Sequence, residues 1–175
     1  FEGEILPTAV KPESSLSETL METLRCGLLC NDSLLAEKEG NLTVQGDPTE
    51  GALITAAAKA GLFMAQENAG HRRLDTIPFE SHHQYMATLH AGSQGTSVMV
   101  YIKGSVEAVL ERCTSALDRH GSVSSLNPAA IHATVSDMAS KGLRVLAFAR
   151  KEFQDGRQKI AHQDIAAGLT FLGLQ

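Results

Sequence analysis

The chain has 175 residues, of which 43% are hydrophobic and 20% charged, and its formal net charge at pH 7 is −5. This length and composition predict one soluble globular domain, residues 1–175, that buries a substantial core. The acidic balance argues against non-specific binding to nucleic acid or to an anionic membrane. No apolar run approaches the ~20 residues that a membrane-spanning helix needs, and no signal peptide is visible.

The chain ends and the cysteines set two further expectations. The chain begins at Phe1 rather than at a methionine and stops abruptly after an apolar stretch, which indicates a fragment of a longer protein. The three cysteines, Cys26, Cys30 and Cys113, form no close CxxC pair. We therefore expect buried thiols in a reducing compartment rather than a disulfide or a metal site.

The first half of the chain alternates helical patterns with sharp turns. Ser15 or Ser17 is expected to cap a helix. Asp47, Pro48 and Glu50 are typical of a cap, a first position and a first turn of another helix. The segments predicted here are an irregular stretch at 1–14, a helix ending near 31–32, a short helix at 34–37, a turn at 38–41, a strand at 42–44, a helix at 51–60 stopped by Gly61, and a helical turn at 62–67.

The stretch 76–104, TIPFESHHQYMATLHAGSQGTSVMVYIKG, is predicted to organise the rest of the fold. It holds two runs of β character separated by the small-residue linker 91–95, which predicts an antiparallel hairpin. Phe79 lies at the entry of this hairpin and Lys103 at its exit. An aromatic ring and an ammonium group on one sheet suit a ligand with a flat ring and an anionic tail, such as a nucleotide.

The remainder of the chain predicts helices and strands that complete this sheet. The segments are a helix at 106–113, a turn at 118–122, a helix at 128–140 capped by Asn127, a strand at 143–150 and a last strand at 169–174. Hairpin-linked strands surrounded by helices predict an α+β fold with a mainly antiparallel, twisted sheet.

Local chemistry leaves two interpretations open for each candidate ligand-binding residue. Glu50 either orients a ligand amine or only favours a helix start. Phe79 either stacks on a purine or lies in the core. Lys103 either meets a ligand, with Gly104 letting that ligand approach the backbone, or is a solvated lysine at a strand end. Arg144, inside an apolar strand, must reach a carboxylate, solvent or a ligand phosphate.

The usual catalytic and metal-binding motifs are absent. The chain has no GxxxxGK[ST] loop, no convincing GxGxxG and no serine–histidine–acid arrangement. His82, His83 and His90 invite a metal-site interpretation. However, adjacent histidines on a strand point to opposite sides, and no acidic or cysteine ligand lies at a fitting spacing. The residues alone therefore predict a ligand-binding domain with neither a metal site nor a catalytic centre of its own.

Several short motifs follow one another in an informative order. They are GDPTEGAL at 46–53, PFES at 78–81, Met86, KGSVE at 103–107 and KGLRVLA at 141–147. Each motif alone is weak, but together they resemble the nucleotide-binding (N) domain of P-type cation-transporting ATPases. The resemblance covers the chain from about Leu24 onward. It is nearer to the calcium-type and sodium/potassium-type pumps than to the heavy-metal pumps.

The resemblance implies roles for the matching positions. In the family, the residue matched by Phe79 stacks on adenine and the one matched by Lys103 lines the floor of the adenine pocket. The residue matched by Glu50 helps to hold the adenine amino group, and the one matched by Arg144 contacts the phosphate side. Gln84 departs from the pattern, because family members usually have a lysine there. We therefore expect weak ATP affinity, with His83 compensating if it is protonated.

For the whole protein, the resemblance implies a cytoplasmic domain of an integral membrane pump. Such a domain binds ATP, with Mg²⁺ accompanying the nucleotide in the full pump, and brings it to an aspartate on another domain. Its partners are the phosphorylation and actuator domains of the same chain, and the domain itself is expected to be monomeric and to bind ATP without hydrolysing it. The alternative, favoured by Gln84, is a nucleotide-sensing or interaction module with the same fold and a weakened ATP site.

Overall fold

The computed structural model describes residues 16–38, 41–92 and 96–175. Its helices are α1 (Glu18–Leu29), α2 (Pro48–Lys59), α3 (Met64–Gly70), α4 (Val106–Leu110) and α5 (Pro128–Ser140), with a short 3-10 helix at His162–Ile165. Its strands are β1 (Leu34–Lys38), β2 (Asn41–Gln45), β3 (Arg73–Glu80), β4 (Tyr85–Ala91), β5 (Val98–Gly104), β6 (Cys113–Leu117), β7 (Val123–Ser125), β8 (Ala147–Phe153) and β9 (Leu169–Leu174).

A seven-stranded sheet in the order β3-β4-β5-β8-β9-β6-β7 forms the centre of the fold. Its neighbouring strands are antiparallel except for β6 and β9, which run parallel. Strands β1 and β2 form a separate antiparallel pair. The predicted α+β fold with a mainly antiparallel sheet is therefore confirmed.

The predicted hairpin is the β4–β5 pair, and strand β3 extends it into a three-stranded meander. Met86 pairs with Lys103 and Tyr85 with Gly104 at one end of the hairpin. Every residue of β4 from Tyr85 to His90 is buried. This burial arises because alternate residues contribute to two hydrophobic clusters, one containing Ala87, Leu89, Val100 and Ile102 and the other Met86, Tyr101 and Phe148.

The predicted starts of α1 and α2 are confirmed. The Ser17 side chain accepts a hydrogen bond from the Leu20 backbone N–H at 3.2 Å, which caps α1. The Asp47 carboxylate accepts from the backbone N–H groups of Thr49 and Glu50 at 2.8 and 3.2 Å, and Pro48 is the first residue of α2. These caps fix where α2 begins and so place Glu50 in its first turn.

A buried charge cluster joins α1 to the sheet. The Glu22 carboxylate accepts hydrogen bonds from the Tyr101 hydroxyl at 2.9 Å, from Arg25 at 2.7 Å and from Arg150 at 2.5 Å. Burial acts to raise the pKa of Glu22, but the Arg150 charge and the donated hydrogen bonds outweigh it, so the pKa is lowered. Glu22 is therefore an ionised structural anchor.

The structure corrects three predicted segments. Residues 34–37 form a strand instead of a helix, because this apolar run is too short for its periodicity to decide and β2 offers a ladder. The helix predicted at 106–113 ends at Leu110, since Cys113 pairs with Leu169 to start β6. The predicted strand 143–150 begins only at Ala147, so Arg144 lies outside the strand.

Other predicted features are confirmed or lie outside the described residues. The α5 helix, its Asn127 cap and the last strand occur as predicted. All three cysteines are buried free thiols, and burial raises the pKa of Cys113 to about 12. Residues 1–14 and most of the 91–95 linker lie outside the described residues, as does part of the 38–41 turn. In the part of the chain that the structure describes, no helix is long and apolar enough to cross a bilayer.

Candidate functional site

An ion pair between α2 and β5 brings together two of the predicted site residues. The Lys103 Nζ atom lies 2.5 Å from Oε1 of Glu50, and the two side chains are only 9% and 18% exposed. Burial acts to raise the pKa of Glu50, but the hydrogen bond and charge of Lys103 outweigh it and lower the pKa. The Glu50 carboxylate is therefore ionised, at a place where water screens its charge poorly.

The second oxygen of Glu50 is held by the segment that follows α1. Oε2 accepts from the backbone N–H groups of Asp32 and Ser33 at 3.1 and 3.0 Å and from the Ser33 hydroxyl at 3.0 Å. The Asn31 side-chain amide donates to the Glu50 carbonyl at 3.0 Å. None of these three residues was predicted from the sequence. The available signal was a run of polar residues directly after an apolar helix, two of which, Asn31 and Ser33, are buried.

Phe79 is not a core residue. The residue is 60% exposed, although it lies on a strand of the central sheet. The register between β3 and β4 shifts between Ile77 and Glu80, and a bulge of this kind turns side chains away from their regular direction. The core interpretation of Phe79 is therefore wrong. Stacking on a purine stays a prediction, because an exposed ring beside a sheet has a free face on which a planar group can stack.

Gln84 and Gly104 lie next to each other at the β4–β5 end. The Gln84 side-chain oxygen accepts from the Ser105 hydroxyl at 3.2 Å, and the Gln84 backbone adopts a left-handed φ of +57°. A Cβ atom added at Gly104 would collide with the carbonyl oxygen of Gln84. A glycine is therefore required at this position by the close approach of the start of strand β4.

Arg144 reaches the start of α2 from outside the sheet. Its residue is exposed, and its Nη1 atom lies 3.4 Å from the Thr49 hydroxyl. The expectation that Arg144 sits inside an apolar strand is wrong, so no desolvation cost forces it to find a carboxylate. Instead, its guanidinium contacts Thr49, the residue before Glu50 in α2, so Arg144 and Glu50 lie in the same region of the surface.

The histidines are arranged differently from the prediction. His90 is buried, and its ring contacts the Thr88 hydroxyl and the His71 carbonyl, both at 2.9 Å. His82 and His83 lie in the turn between β3 and β4, not on a strand, and Glu80 approaches both of them. Partial desolvation, followed by the charges of His82 and His162, lowers the pKa of His83. We therefore expect His83 to be neutral near pH 7, which argues against its replacing a lysine charge at Gln84.

The structure thus groups the predicted residues around one end of the β3–β4–β5 meander. Glu50 and Lys103 are in direct contact, Gln84 adjoins Gly104, and Arg144 touches the residue before Glu50. Phe79 lies on β3, which pairs with β4 at the end next to Gln84. A family model described as "P-type ATPase, cytoplasmic domain N" matches residues 19–175. This chain is a P-type ATPase cytoplasmic N domain.

Curated relatives of this N domain are cation-transporting ATPases. It is 51% identical over 160 residues to the cation-transporting ATPase pma1 of Synechocystis, covering 91% of this chain and 17% of that protein. It is 36% identical to the probable cation-transporting ATPase F of Mycobacterium tuberculosis, covering 81% of this chain and 15% of that protein. It is 31% identical to the calcium-transporting ATPase of Bacillus subtilis, covering 95% of this chain and 19% of that protein. The chain thus spans less than a fifth of the length of each of these relatives.

Proposed function

We propose that this N domain binds ATP at the Glu50–Lys103 end of the meander and presents its γ-phosphate to the phosphorylation domain of a P-type cation-transporting ATPase. The observation that carries the proposal is an exposed aromatic residue, Phe79, on the same three-stranded meander as the poorly solvated Lys103 of the ion pair. A nucleobase that stacks on Phe79 buries apolar area on both sides. At the same edge, Glu50 and Lys103 offer a hydrogen-bond acceptor and donors for its polar rim.

The contacts of Glu50 suggest how an adenine amino group is recognised. Three donors from Asp32 and Ser33 fix one carboxylate oxygen, which leaves the other oxygen oriented towards Lys103. We propose that this second oxygen accepts from the adenine amine. Because the carboxylate is already held in place, little side-chain entropy is lost on binding.

The phosphate side is assigned to Arg144, with Gln84 as an uncharged donor. Arg144 is exposed beside the α2 start, and guanidinium groups suit phosphate oxygens. Glu50, the carboxylate at this site, is already engaged by Lys103 and Ser33. We therefore expect Mg²⁺ to be carried by the ATP phosphates instead of being held by this domain.

In the whole protein, this domain is proposed to be the cytoplasmic nucleotide-binding part of an integral membrane pump. Its partners would be the phosphorylation and actuator domains of the same chain. Transfer of the phosphoryl group then depends on bringing ATP up to another domain. The domain alone is expected to be monomeric and to bind ATP without hydrolysing it. Steady phosphate release that Phe79→Ala abolishes would contradict this.

The test is an ATP titration followed by amide NMR, with and without Mg²⁺. Phe79→Ala is expected to weaken binding about 5- to 150-fold, since stacking of one base on an aromatic side chain contributes about 1–3 kcal/mol. Phe63→Ala is the matched control, because Phe63 is also an exposed phenylalanine, at 49%, but lies at the N-terminal end of α3. We expect shifts at Glu50, Phe79, Lys103 and Arg144 in wild type and in this control. Equal affinity of Phe79→Ala and wild type would overturn the proposal.

A second candidate is a nucleotide-sensing or interaction module that keeps this fold. Gln84 favours it, because the position offers an uncharged side chain in a left-handed backbone conformation. The absence of any shift at millimolar ATP in the same titration would select this candidate over the first.

A further inference from the structure

The turn between β3 and β4 holds a carboxylate and two imidazoles in one place. Two backbone hydrogen bonds close this turn, from the N–H groups of His83 and Gln84 to the Glu80 carbonyl, at 3.0 and 2.8 Å. Oε2 of Glu80 lies 3.4 Å from Nδ1 of His82 and 3.8 Å from Nε2 of His83. One ligand atom from each residue lies within 4.8 Å of the other two.

These separations are close to those that a tetrahedral metal ion requires. Two ligand atoms each about 2.0–2.1 Å from a tetrahedral zinc ion lie about 3.3–3.4 Å apart. The Glu80–His82 separation already matches this value, and the Glu80–His83 separation exceeds it by a few tenths of an ångström. The third separation, between the two imidazole nitrogens, is below 4.8 Å, so binding at one centre requires the side chains to rotate towards each other.

We propose that Glu80, His82 and His83 bind a divalent transition-metal ion such as Zn²⁺, with water at the remaining coordination position. Imidazole nitrogen and carboxylate oxygen form a donor set that suits zinc and its neighbours. The site is open to solvent, since the side chains of His82, Glu80 and His83 are 69%, 47% and 30% exposed.

The ring of His83 is oriented by a neighbouring histidine ring. Its ring centroid lies 4.1 Å from that of His162, whose Nδ1 atom is 2.6 Å from the Tyr85 hydroxyl. This contact holds the His162 ring in place, and the His83 ring packs against it.

The proposed site differs from the histidine group that the sequence suggested. His90 is buried and occupied by Thr88 and His71, so it does not take part. Glu80, two residues before His82, takes its place, because the turn brings the Glu80 carboxylate close to both imidazole rings. The site also lies between Phe79 and Gln84 along the chain, although its binding of a metal does not depend on the proposed ATP function.

The test is a metal titration of the full 175-residue chain without nucleotide. We expect one equivalent of Zn²⁺ to bind in competition with a chromophoric chelator, and Co²⁺ to give the visible absorption of a tetrahedral site. The imidazole nitrogen signals of His82 and His83 should shift together in NMR. Glu80→Gln is expected to weaken binding at least about tenfold, and His82→Ala with His83→Ala to abolish it.

A matched double variant separates this site from ordinary surface histidines. His120 and His132 are exposed residues elsewhere in the chain, so His120→Ala with His132→Ala should leave Zn²⁺ affinity unchanged. The proposal is overturned if wild type takes up no stoichiometric Zn²⁺, or if the two double variants lose binding equally. Far-UV circular dichroism checks that each variant is folded, which is expected because the substituted side chains are mostly exposed.

Discussion

Two carboxylate–cation clusters lie on the same face of the central sheet and differ in their surroundings. Glu22 contacts Tyr101 on β5 and Arg150 on β8, and Glu50 contacts Lys103, two residues after Tyr101. In the first cluster, donors from a helix and two strands engage both carboxylate oxygens. In the second, Ser33 and Asp32 engage one oxygen and Lys103 the other, at the rim where Phe79 and Arg144 are exposed.

The Glu22 pair joins elements of the fold, whereas the Glu50 pair belongs to the proposed ATP site. Both carboxylates have lowered pKa values, so the shift alone does not separate them. The difference lies in how the cation is held and in what is exposed beside it. Arg150 and Arg25 both donate to Glu22, whereas Glu50 pairs with Lys103, a point charge, and the exposed Phe79 lies on a strand of the same meander.

The largest expected effect comes from matched changes in the two carboxylates. Glu22→Gln should lower the free energy of unfolding by about 2–3 kcal/mol, because Arg150 loses its charged partner in a poorly solvated place. The figure lies below that of a fully buried pair, since the Arg150 side chain is 29% exposed. Urea denaturation at pH 7 measures it.

Glu50→Gln is the control for that comparison. We expect a smaller loss of about 1 kcal/mol, since the amide oxygen still accepts a hydrogen bond, together with a clear weakening of ATP binding. Glu22→Gln should leave the affinity of the folded protein for ATP unchanged. If instead Glu22→Gln weakens ATP binding and Glu50→Gln does not, the assignment of the two clusters is wrong.

The stability of the core beside the Glu22 cluster is also expected to depend on pH, through the buried His90. Its ring lies 5.7 Å from the Tyr101 ring, and burial lowers the pKa of His90 from 6.5 to about 4. Below pH 6.5 the unfolded chain binds a proton that the folded chain does not, so stability falls as the pH falls towards 4. The loss is about 2 kcal/mol at pH 5.

Urea denaturation at pH 7.5 and pH 5 tests this dependence on wild type and two variants. His90→Gln should be less stable at pH 7.5 but lose less on acidification, while His132→Gln, which changes an exposed histidine, should keep the wild-type difference. An unchanged pH dependence in His90→Gln would show that other groups cause it.

The smallest expected effect concerns the rim. Gln84→Lys places a positive charge beside the proposed phosphate side and should tighten ATP binding about two- to fivefold, in the range of a partly exposed ion pair. Isothermal titration calorimetry at low salt measures it, and the gain should shrink as salt is added. Gln66→Lys, on α3, controls for the change in net charge. Equal affinities of wild type and Gln84→Lys would show that Gln84 does not face the nucleotide.

Local chemistry in the sequence was enough to predict the helix starts and the central hairpin. Ser17, Asp47 with Pro48, and Asn127 each act on neighbours within the next three residues, so their effect is visible in a short window. The same windows failed at 34–37 and 111–113. There the outcome depends on a partner strand, β2 in one case and β9, more than fifty residues away, in the other.

The candidate site was predictable only in part for the same reason. Family-like motifs located Glu50, Phe79, Lys103 and Arg144, but the anchoring of Glu50 by Asn31, Asp32 and Ser33 spans α1 and α2. The approach of Glu80 to two histidines depends on a turn whose backbone conformation includes the positive φ of Gln84. Neither spacing nor residue type reports such a turn, because a left-handed glutamine is uncommon.

Strand β9 has a consequence for how this domain is made. Residues Leu169–Leu174 occupy an interior place in the sheet, between β8 and β6, and helix α1 packs against them. During synthesis, the edges of β8 and β6 therefore stay unpaired until this segment leaves the ribosome. A nascent chain stopped at Gly168 would hold a four-stranded and a two-stranded piece with no shared ladder, so the final cooperative step should follow the emergence of β9.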